Sequence, residues 1–152
     1  FTRPASDSSF RWTVGWPEDG WVLRHQLQLA DPAAGPVIVA LLLAHGYDGP
    51  ARVLAAVNGH DLGPLRLVEP DLLQIEVPAH VIAGQSRLVF DLRLQPQDPT
   101  LRLVAQRWVG GATLGGAASS FYDTQRWWPG TFNDVAGRRQ TGVYIIRVRG
   151  IG

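Results

Sequence analysis

One stretch of the sequence combines aromatic and polar side chains at close spacing. Residues 121–134 read FYDTQRWWPGTFND. Sugar rings stack their C–H faces on indole and phenol rings, and nearby carboxylate, amide and guanidinium groups can hydrogen-bond the sugar hydroxyls. For such a ligand, the expected contact residues are Trp127, Trp128, Tyr122, Arg126 and Asp123, with Trp16 and Trp21 in second rank. An alternative stays open, in which either adjacent tryptophan packs into one end of the core; we expect at least one of the two to be exposed.

A second motif, in residues 41–49, suggests hydrolytic chemistry. An apolar run leads into His45-Gly46-Tyr47-Asp48-Gly49, which resembles the oxyanion-loop strand of α/β-hydrolases. That family also needs a G-x-S-x-G nucleophile elbow and alternating strands and helices, and the sequence contains neither pattern. We therefore interpret the motif as a strand that runs into a turn.

Metal ligands and paired catalytic acids are not indicated by spacing. The histidines show no H-x-H or H-x-x-x-H pair that would place two imidazoles on one face; they are His25, His45, His60 and His80. The three glutamates lie near predicted turns or on a solvent face, which gives no visible acid and base pair. The sequence predicts a non-enzymatic protein without a cofactor. Two alternatives stay open: an enzyme, which would need carboxylates that converge in the fold, and a structural calcium ion bound by Asp123 and Asp134.

The elements that must position these residues are short strands. Apolar and polar residues alternate in several segments, such as Leu88, Phe90, Leu92 and Leu94, as expected when one face of a sheet is buried. The run from Val37 to Ala44 is apolar throughout, which is typical of a central strand covered on both faces. The predicted strands are Phe10–Val14, Trp21–Leu29, Val37–His45, Ala51–Val57, Leu72–Val77, Arg87–Leu94, Leu101–Trp108 and Val143–Arg149.

Turn residues divide the segments. Asn58-Gly59 is the preferred dipeptide of a two-residue hairpin, because both residues tolerate positive φ. Three prolines then break the following region into short edge-like strands; they are Pro64, Pro70 and Pro78. Residues 109–142 are rich in glycine, and we expect them to form one long aromatic-rich loop over an end of the sandwich.

Length and composition limit the classes of protein to which this chain can belong. The chain has 152 residues, enough for a single domain with its own core, and we expect residues 1–8 to be a flexible N-terminal segment. The net charge is +1 and the only adjacent basic pair is Arg138-Arg139, so no nucleic-acid partner is expected. The longest apolar run has eight residues, against roughly 20 for a membrane-spanning helix. Because the chain begins at Phe1 without a signal-type segment, it is expected to be a piece of a longer protein or a processed product.

Three motifs together resemble a known superfamily. VNGHDLG at residues 57–63, LQIEVP at 73–78 and GQSRLVF at 84–90 are similar to the strand and hairpin motifs of galactose-binding-like jelly-roll modules. In those modules an asparagine usually stands where this chain has Ser86. The preceding FRWT at residues 10–13 looks like the extracytoplasmic β-sandwich of some bacterial membrane glycosyltransferases.

The resemblance implies a fold, a role and a location. The fold would be a single antiparallel β-sandwich of jelly-roll type. The function would be that of a non-catalytic carbohydrate-binding or accessory module of a bacterial cell-envelope glycosyltransferase, in the periplasm or at the cell surface. Its partners would be a glycan or the parent membrane protein. The alternative is a structural domain that docks on its parent protein or self-associates.

Overall fold

A computed structural model describes residues 11–14, 20–107, 113–114, 117–129, 131–133, 138–144 and 146–150. These residues form an all-β structure with a single helical turn, α1 (Ala79–Ile82). The strands are β1 (Arg11–Val14), β2 (Val22–Gln28), β3 (Val37–Leu42), β4 (Arg52–Val57), β5 (His60–Pro64), β6 (Arg66–Glu69), β7 (Leu72–Val77), β8 (Arg87–Gln95), β9 (Leu103–Arg107), β10 (Thr113–Leu114), β11 (Ala117–Tyr122), β12 (Trp127–Pro129), β13 (Thr131–Asn133), β14 (Arg139–Tyr144) and β15 (Ile146–Gly150).

The strands pair antiparallel and build two layers. The first layer is one sheet in the order β10-β11-β2-β8-β4-β5, with β12 also paired to β11. The second layer contains the sheets β15-β3-β7-β6 and β1-β9-β14-β13. An isolated bridge between Leu43 and Leu103 connects these two sheets, and the Ala44 N–H donates to the Arg102 carbonyl at 2.8 Å. The all-β prediction and its antiparallel pairing are confirmed.

Alternation places the core between the layers. On β8, Leu88, Phe90, Leu92 and Leu94 are all buried, as their spacing predicted. They belong to one apolar cluster with side chains from the second layer, including inward residues of β3. Strand β3 is central in its sheet and is buried on both faces, because Ala40 and Leu42 are also covered. Its continuous apolar run is explained by that position.

The predicted Asn58-Gly59 hairpin is confirmed and holds three strands together. Asn58 has φ 48° and Gly59 has φ 84°, and Val57 pairs with His60 across the turn. The Asn58 side chain also reaches β8, where Oδ1 accepts from the Val89 N–H at 2.8 Å. The same side chain donates through Nδ2 to the Arg87 carbonyl at 3.2 Å. One residue therefore forms the β4–β5 turn and links it to β8.

Replacing Asn58 separates its two contributions. We expect Asn58→Ala to lower the free energy of unfolding by about 2 kcal/mol, since alanine resists positive φ and leaves the Val89 N–H without its side-chain acceptor. Asn58→Gly restores the backbone freedom and should lose only about 1 kcal/mol. Urea denaturation of both variants measures the difference. Equal stability of Asn58→Ala and the wild type would contradict this account.

The loop predicted for residues 109–142 is wrong in its described part. This tract holds β10 to β13 and most of β14, and β11 pairs with β2 over six residues, from Ala117 against Leu27 to Tyr122 against Val22. Alanine and serine at 117–120 carry little strand signal of their own. Pairing with β2, whose alternating residues bury one face, decides the conformation, because strand preference depends strongly on context. The first layer is therefore wider than the sequence indicated.

Other boundaries differ slightly. Strands β1, β2, β3, β4, β7 and β9 lie within the segments predicted for them, and β8 extends one residue further. The segment predicted from Val143 to Arg149 contains the end of β14 and most of β15, which pair with different neighbours, β9 and β3. Residues 1–8 lie outside the described part of the chain.

Candidate functional site

The aromatic residues singled out by sequence lie on the hairpin formed by β11 and β12. In its register, Phe121 is opposite Trp128 and Tyr122 is opposite Trp127. Asp123 shapes the turn, because its Oδ1 accepts from the Gln125 N–H at 3.0 Å and the Arg126 N–H at 2.9 Å. This is the local bonding through which aspartate favours turns. The hairpin is thus specified by its own sequence.

Strand alternation sends the two adjacent tryptophans to opposite faces of the first layer. Leu23 and Phe121 are opposite each other on β2 and β11, and both are buried in the core. Directly opposite side chains share a face, so Trp128, opposite Phe121, faces inward. Trp127 is the neighbouring residue and faces outward with Tyr122. Both indoles are partly buried. We expected at least one of the two to be exposed, and neither is.

The inward aromatics form a stack. The Trp21 and Phe121 rings are parallel within 4°, with centroids 5.1 Å apart, and Trp128 continues the stack at 6.2 Å from Phe121. Two guanidinium groups, those of Arg126 and Arg139, lie 3.9 Å from the Trp128 ring centroid. The Trp128 Nε1–H donates to Asp123 Oδ2 at 2.9 Å. These contacts identify Trp128 as a packing residue that closes one end of the core.

Asp123 is committed to the same structure. The hydrogen bond from Trp128, followed by those from the Arg126 and Gln125 backbone, holds the pKa of Asp123 below its ordinary value. Its carboxylate is therefore ionised at neutral pH and already accepts three protein hydrogen bonds. This arrangement favours a structural role over ligand contact for Asp123.

The outward aromatics belong to a separate group, which we call the outer patch: Trp127, Tyr122, Arg24 and Asp91. The Trp127 and Tyr122 ring centroids are 5.3 Å apart with a 35° tilt, and the Arg24 Cζ lies 4.0 Å from the Trp127 centroid. Arg24 donates to Asp91 through both Nε, at 2.6 Å, and Nη2, at 2.9 Å. This double hydrogen bond is the main reason that the pKa of Arg24 is raised. The outer patch thus combines aromatic surface with a fixed ion pair.

The structure divides the residues expected to contact a ligand. Tyr122 and Trp127 are together on the outer patch, whereas Trp128 and Trp21 are in the inner stack with Arg126 above it. The Trp21 Nε1–H is buried and has no hydrogen-bond partner among the described residues. Trp16 lies outside the described part of the chain. The sequence analysis did not include Arg24 and Asp91 among the expected ligand contacts. Both lie on strands that were predicted correctly, at positions between buried residues.

A second concave feature lies beside residues 64–67, where β5 ends and β6 begins. This cleft has a volume of about 420 Å³, and apolar residues line it together with Tyr47, Asp48, Arg52 and Arg66. The apolar lining consists of Leu43, Gly49, Ala51, Val53, Pro64, Leu65, Leu67, Leu73 and Leu101. No local pattern in the sequence predicts this cleft, because its walls come from separate segments of the chain.

The HGYDG motif forms one side of this cleft. The Tyr47 hydroxyl donates to Asp98 Oδ2 at 2.5 Å and accepts from the Ala51 N–H at 2.9 Å. A Cβ at Gly49 would lie 2.5 Å from that hydroxyl, so the second glycine of the motif gives the tyrosine room. Strand β3 ends at Leu42 and the chain bends at His45. The interpretation of the motif as a strand running into a turn is confirmed.

Within the described residues, no three histidine or acidic side chains are grouped as metal ligands would be. Asp134, the second residue considered for calcium, is outside that part of the chain. None of the described helical structure has the length and apolar character needed to cross a membrane.

The chain matches no protein-family model, no curated protein and no solved structure.

Proposed function

We propose that this domain is a non-catalytic carbohydrate-binding module, and that the outer patch is its site. The observation that carries the proposal is the position of Trp127 and Tyr122 beside the Arg24–Asp91 pair on the outward face of the first layer. Aromatic rings offer a surface to the apolar face of a sugar, and adjacent polar groups fix its orientation.

The ion pair suits sugar hydroxyls because it is already fixed. Arg24 uses Nε and Nη2 to hold Asp91, and its remaining Nη1–H groups can donate while the carboxylate oxygens retain lone pairs. Both side chains are about a quarter to a third exposed, so a ligand can reach them. A preordered pair loses little side-chain entropy on binding, which offsets part of the cost of association.

Binding at this site should be shallow and weak. One or two stacked rings and a few hydrogen bonds that compete with water leave a small surplus over the entropy lost on association. This is compatible with an accessory module that keeps a larger protein near its glycan. The proposal extends to the parent: a bacterial cell-envelope protein of the glycosyltransferase type, with this domain outside the membrane.

The fold assignment that goes with this function is a galactose-binding-like jelly roll. Its support is the resemblance of the V-N-G hairpin, where Asn58 and Gly59 both have positive φ, together with the two antiparallel layers. Fold similarity does not by itself transfer a function, so the support for carbohydrate binding comes from the residues of the outer patch.

A glycan array with purified domains tests the proposal. We expect the wild type to bind at least one glycan and Trp127→Ala to weaken that binding about tenfold, the loss expected for one stacked ring. His60→Ala, on β5 at the opposite edge of the same sheet, is the matched control and should bind as the wild type does. Thermal melts of all three proteins establish that each is folded.

Two results would count against the site. If no glycan is retained by the folded wild type, the carbohydrate function is wrong. If glycans bind equally well to the wild type and Trp127→Ala, the domain binds sugar at a place other than the outer patch.

A further inference from the structure

The cleft beside residues 64–67 opens into the core between the two layers. The chain crosses there from the first layer to the second: the Leu65 N–H still donates to the Val53 carbonyl of β4 at 2.9 Å, and the next residue begins β6. Six of the residues that line the cleft belong to the main apolar cluster, and none of them is more than 7% exposed: Leu43, Ala51, Val53, Leu65, Leu73 and Leu101. The interior of the cleft is therefore part of the hydrophobic core.

The size and lining of the cleft are those of a small-molecule site. Its volume of about 420 Å³ lies within the roughly 300–1,000 Å³ of ligand pockets, which combine an apolar lining with a few polar groups. Tyr47 is the one aromatic ring among the described residues that line it, and the apolar remainder is aliphatic. Because the cleft offers no pair of rings for stacking, its lining suits an aliphatic chain better than a flat ring.

Charged groups stand at the rim of the cleft. Arg52, Arg66 and Asp48 line it and are exposed. Arg52 Nη1 donates to the backbone carbonyls of Gly49 and Ala51 at 3.1 and 3.0 Å, which holds the guanidinium group without neutralising its charge. Among the described residues, no carboxylate forms an ion pair with Arg52 or Arg66. The rim therefore holds two positive charges and one negative charge.

The Tyr47 hydroxyl adds no free donor to the rim. It donates its proton to Asp98 and accepts from the Ala51 N–H. Asp98 is not among the residues that line the cleft, and its carboxylate also accepts from the N–H and the hydroxyl of Thr100, at 2.9 and 2.7 Å. The side-chain donors left for a ligand are therefore the guanidinium N–H groups.

We propose that the cleft binds a linear aliphatic carboxylate, with the chain between the two layers and the carboxylate at Arg66 and Arg52. Guanidinium groups hold carboxylates through paired N–H donors, and the aliphatic chain leaves water as it enters the core. The cleft opens between the layers, whereas the outer patch lies on the outward face of the first layer. The inference is therefore independent of carbohydrate binding.

Affinity should depend on the length of the chain. Each CH₂ group that is buried tightens binding about threefold to fourfold, so octanoate should bind about tenfold more tightly than hexanoate. For octanoate we expect a dissociation constant on the order of 100 μM, because one ion pair and a short chain leave a small surplus over the entropy lost on association.

Isothermal titration calorimetry with three probes of equal chain length tests the ligand class. Octanoate should bind at least about tenfold more tightly than 1-octanol, which lacks the charge, and than octylammonium, which would favour Asp48. Amide chemical shifts in ¹H–¹⁵N spectra locate the site. Octanoate should shift the signals of Ala51, Leu65 and Leu67, which line the cleft.

Substitutions of Arg66 test the role of its charge. Arg66→Gln should weaken octanoate binding about tenfold and leave 1-octanol binding unchanged, since only the carboxylate needs the cation. Arg66→Lys keeps the charge and should retain most of the affinity for octanoate. Arg149→Gln is the matched control, because Arg149 is also exposed but lies on β15, at the opposite edge of the same sheet. It should bind octanoate as the wild type does.

Several results would overturn the proposal. They are no binding of octanoate by the folded wild type up to about 10 mM, equal or tighter binding of 1-octanol or octylammonium, octanoate-induced shifts confined to residues away from the cleft, and unchanged affinity in Arg66→Gln. All variants change exposed residues, and circular dichroism establishes that they fold. Trp127→Ala should bind octanoate as the wild type does, so failure of this site and failure of the carbohydrate function are distinguishable.

Discussion

Acidification from pH 7.5 to 4.5 should lower the free energy of unfolding by about 2 to 3 kcal/mol through one residue, His25. This side chain is only 2% exposed, on the inner face of β2, with its Nδ1 3.3 Å from the Ser119 hydroxyl oxygen. Burial lowers the pKa of His25 to about 4, and the positive charge of Arg147 acts in the same direction. The folded protein therefore keeps this imidazole neutral.

The sign of the effect follows from the two states. An unfolded chain binds the proton at pKa about 6.5, whereas the folded chain resists it until pH falls to about 4. Between these values only the unfolded state gains a proton, so stability falls as the pH decreases and levels off below the folded pKa. Well above pH 7 the imidazole is neutral in both states, so His25 adds no pH dependence to the free energy of unfolding there.

Urea denaturation at pH 7.5, 6.0 and 4.5 measures this loss. His25→Gln keeps a polar group for Ser119 without a titration in this range. Its stability should therefore change less with pH than that of the wild type, by about 2 to 3 kcal/mol. His60→Gln, an exposed control, should follow the wild type. Asp98 and Asp123, whose pKa values are lowered, also lose stabilising interactions in acid, so the comparison of variants isolates His25. Parallel profiles for the wild type and His25→Gln would show that the buried imidazole is not the cause.

Strands with a complete local signal could be predicted from the sequence. The alternation on β8 and the continuous apolar run of β3 each follow from burial on one or both faces, and the structure agrees. The Asn58-Gly59 turn was predictable for the same reason, since positive φ at both positions is a local property of the two residues. These features need no knowledge of distant neighbours.

Features that depend on a neighbouring strand were missed. Strand β11 forms because β2 offers it a partner, whereas the alanines and serines at residues 117–120 carry little strand signal of their own. The Arg24–Asp91 pair joins residues 67 positions apart, so its place beside Trp127 is visible only once β2, β8 and β12 share a sheet. The β-bulge between Leu67 and Glu69 likewise depends on the register of β6 with β7.

The adjacent tryptophans give the second large effect, because two neighbouring residues of one strand should lose very different amounts of stability when each is replaced by alanine. Trp128→Ala should lower the free energy of unfolding by about 3 kcal/mol, since it removes a ring from the inner stack and leaves a cavity beside Phe121. It also removes the Nε1–H that donates to Asp123, and the ring over which the guanidinium groups of Arg126 and Arg139 lie. Trp127→Ala should cost about 1 kcal/mol, because its contacts with Arg24 and Tyr122 are on the outward face.

Urea denaturation of both alanine variants and of Trp128→Phe measures the contrast. Trp128→Phe keeps an aromatic ring against Phe121 but loses the hydrogen bond to Asp123, so it should fall between Trp128→Ala and the wild type. If the two alanine variants are equally destabilised, both rings pack in the core and the division of the hairpin into inner stack and outer patch is wrong. If Trp127→Ala loses only about 1 kcal/mol and Trp128→Ala loses about three times as much, Trp127 is an outward ring whose removal leaves the fold intact. A loss of glycan binding by Trp127→Ala can then be assigned to contact with the sugar, because the protein that fails to bind is still folded.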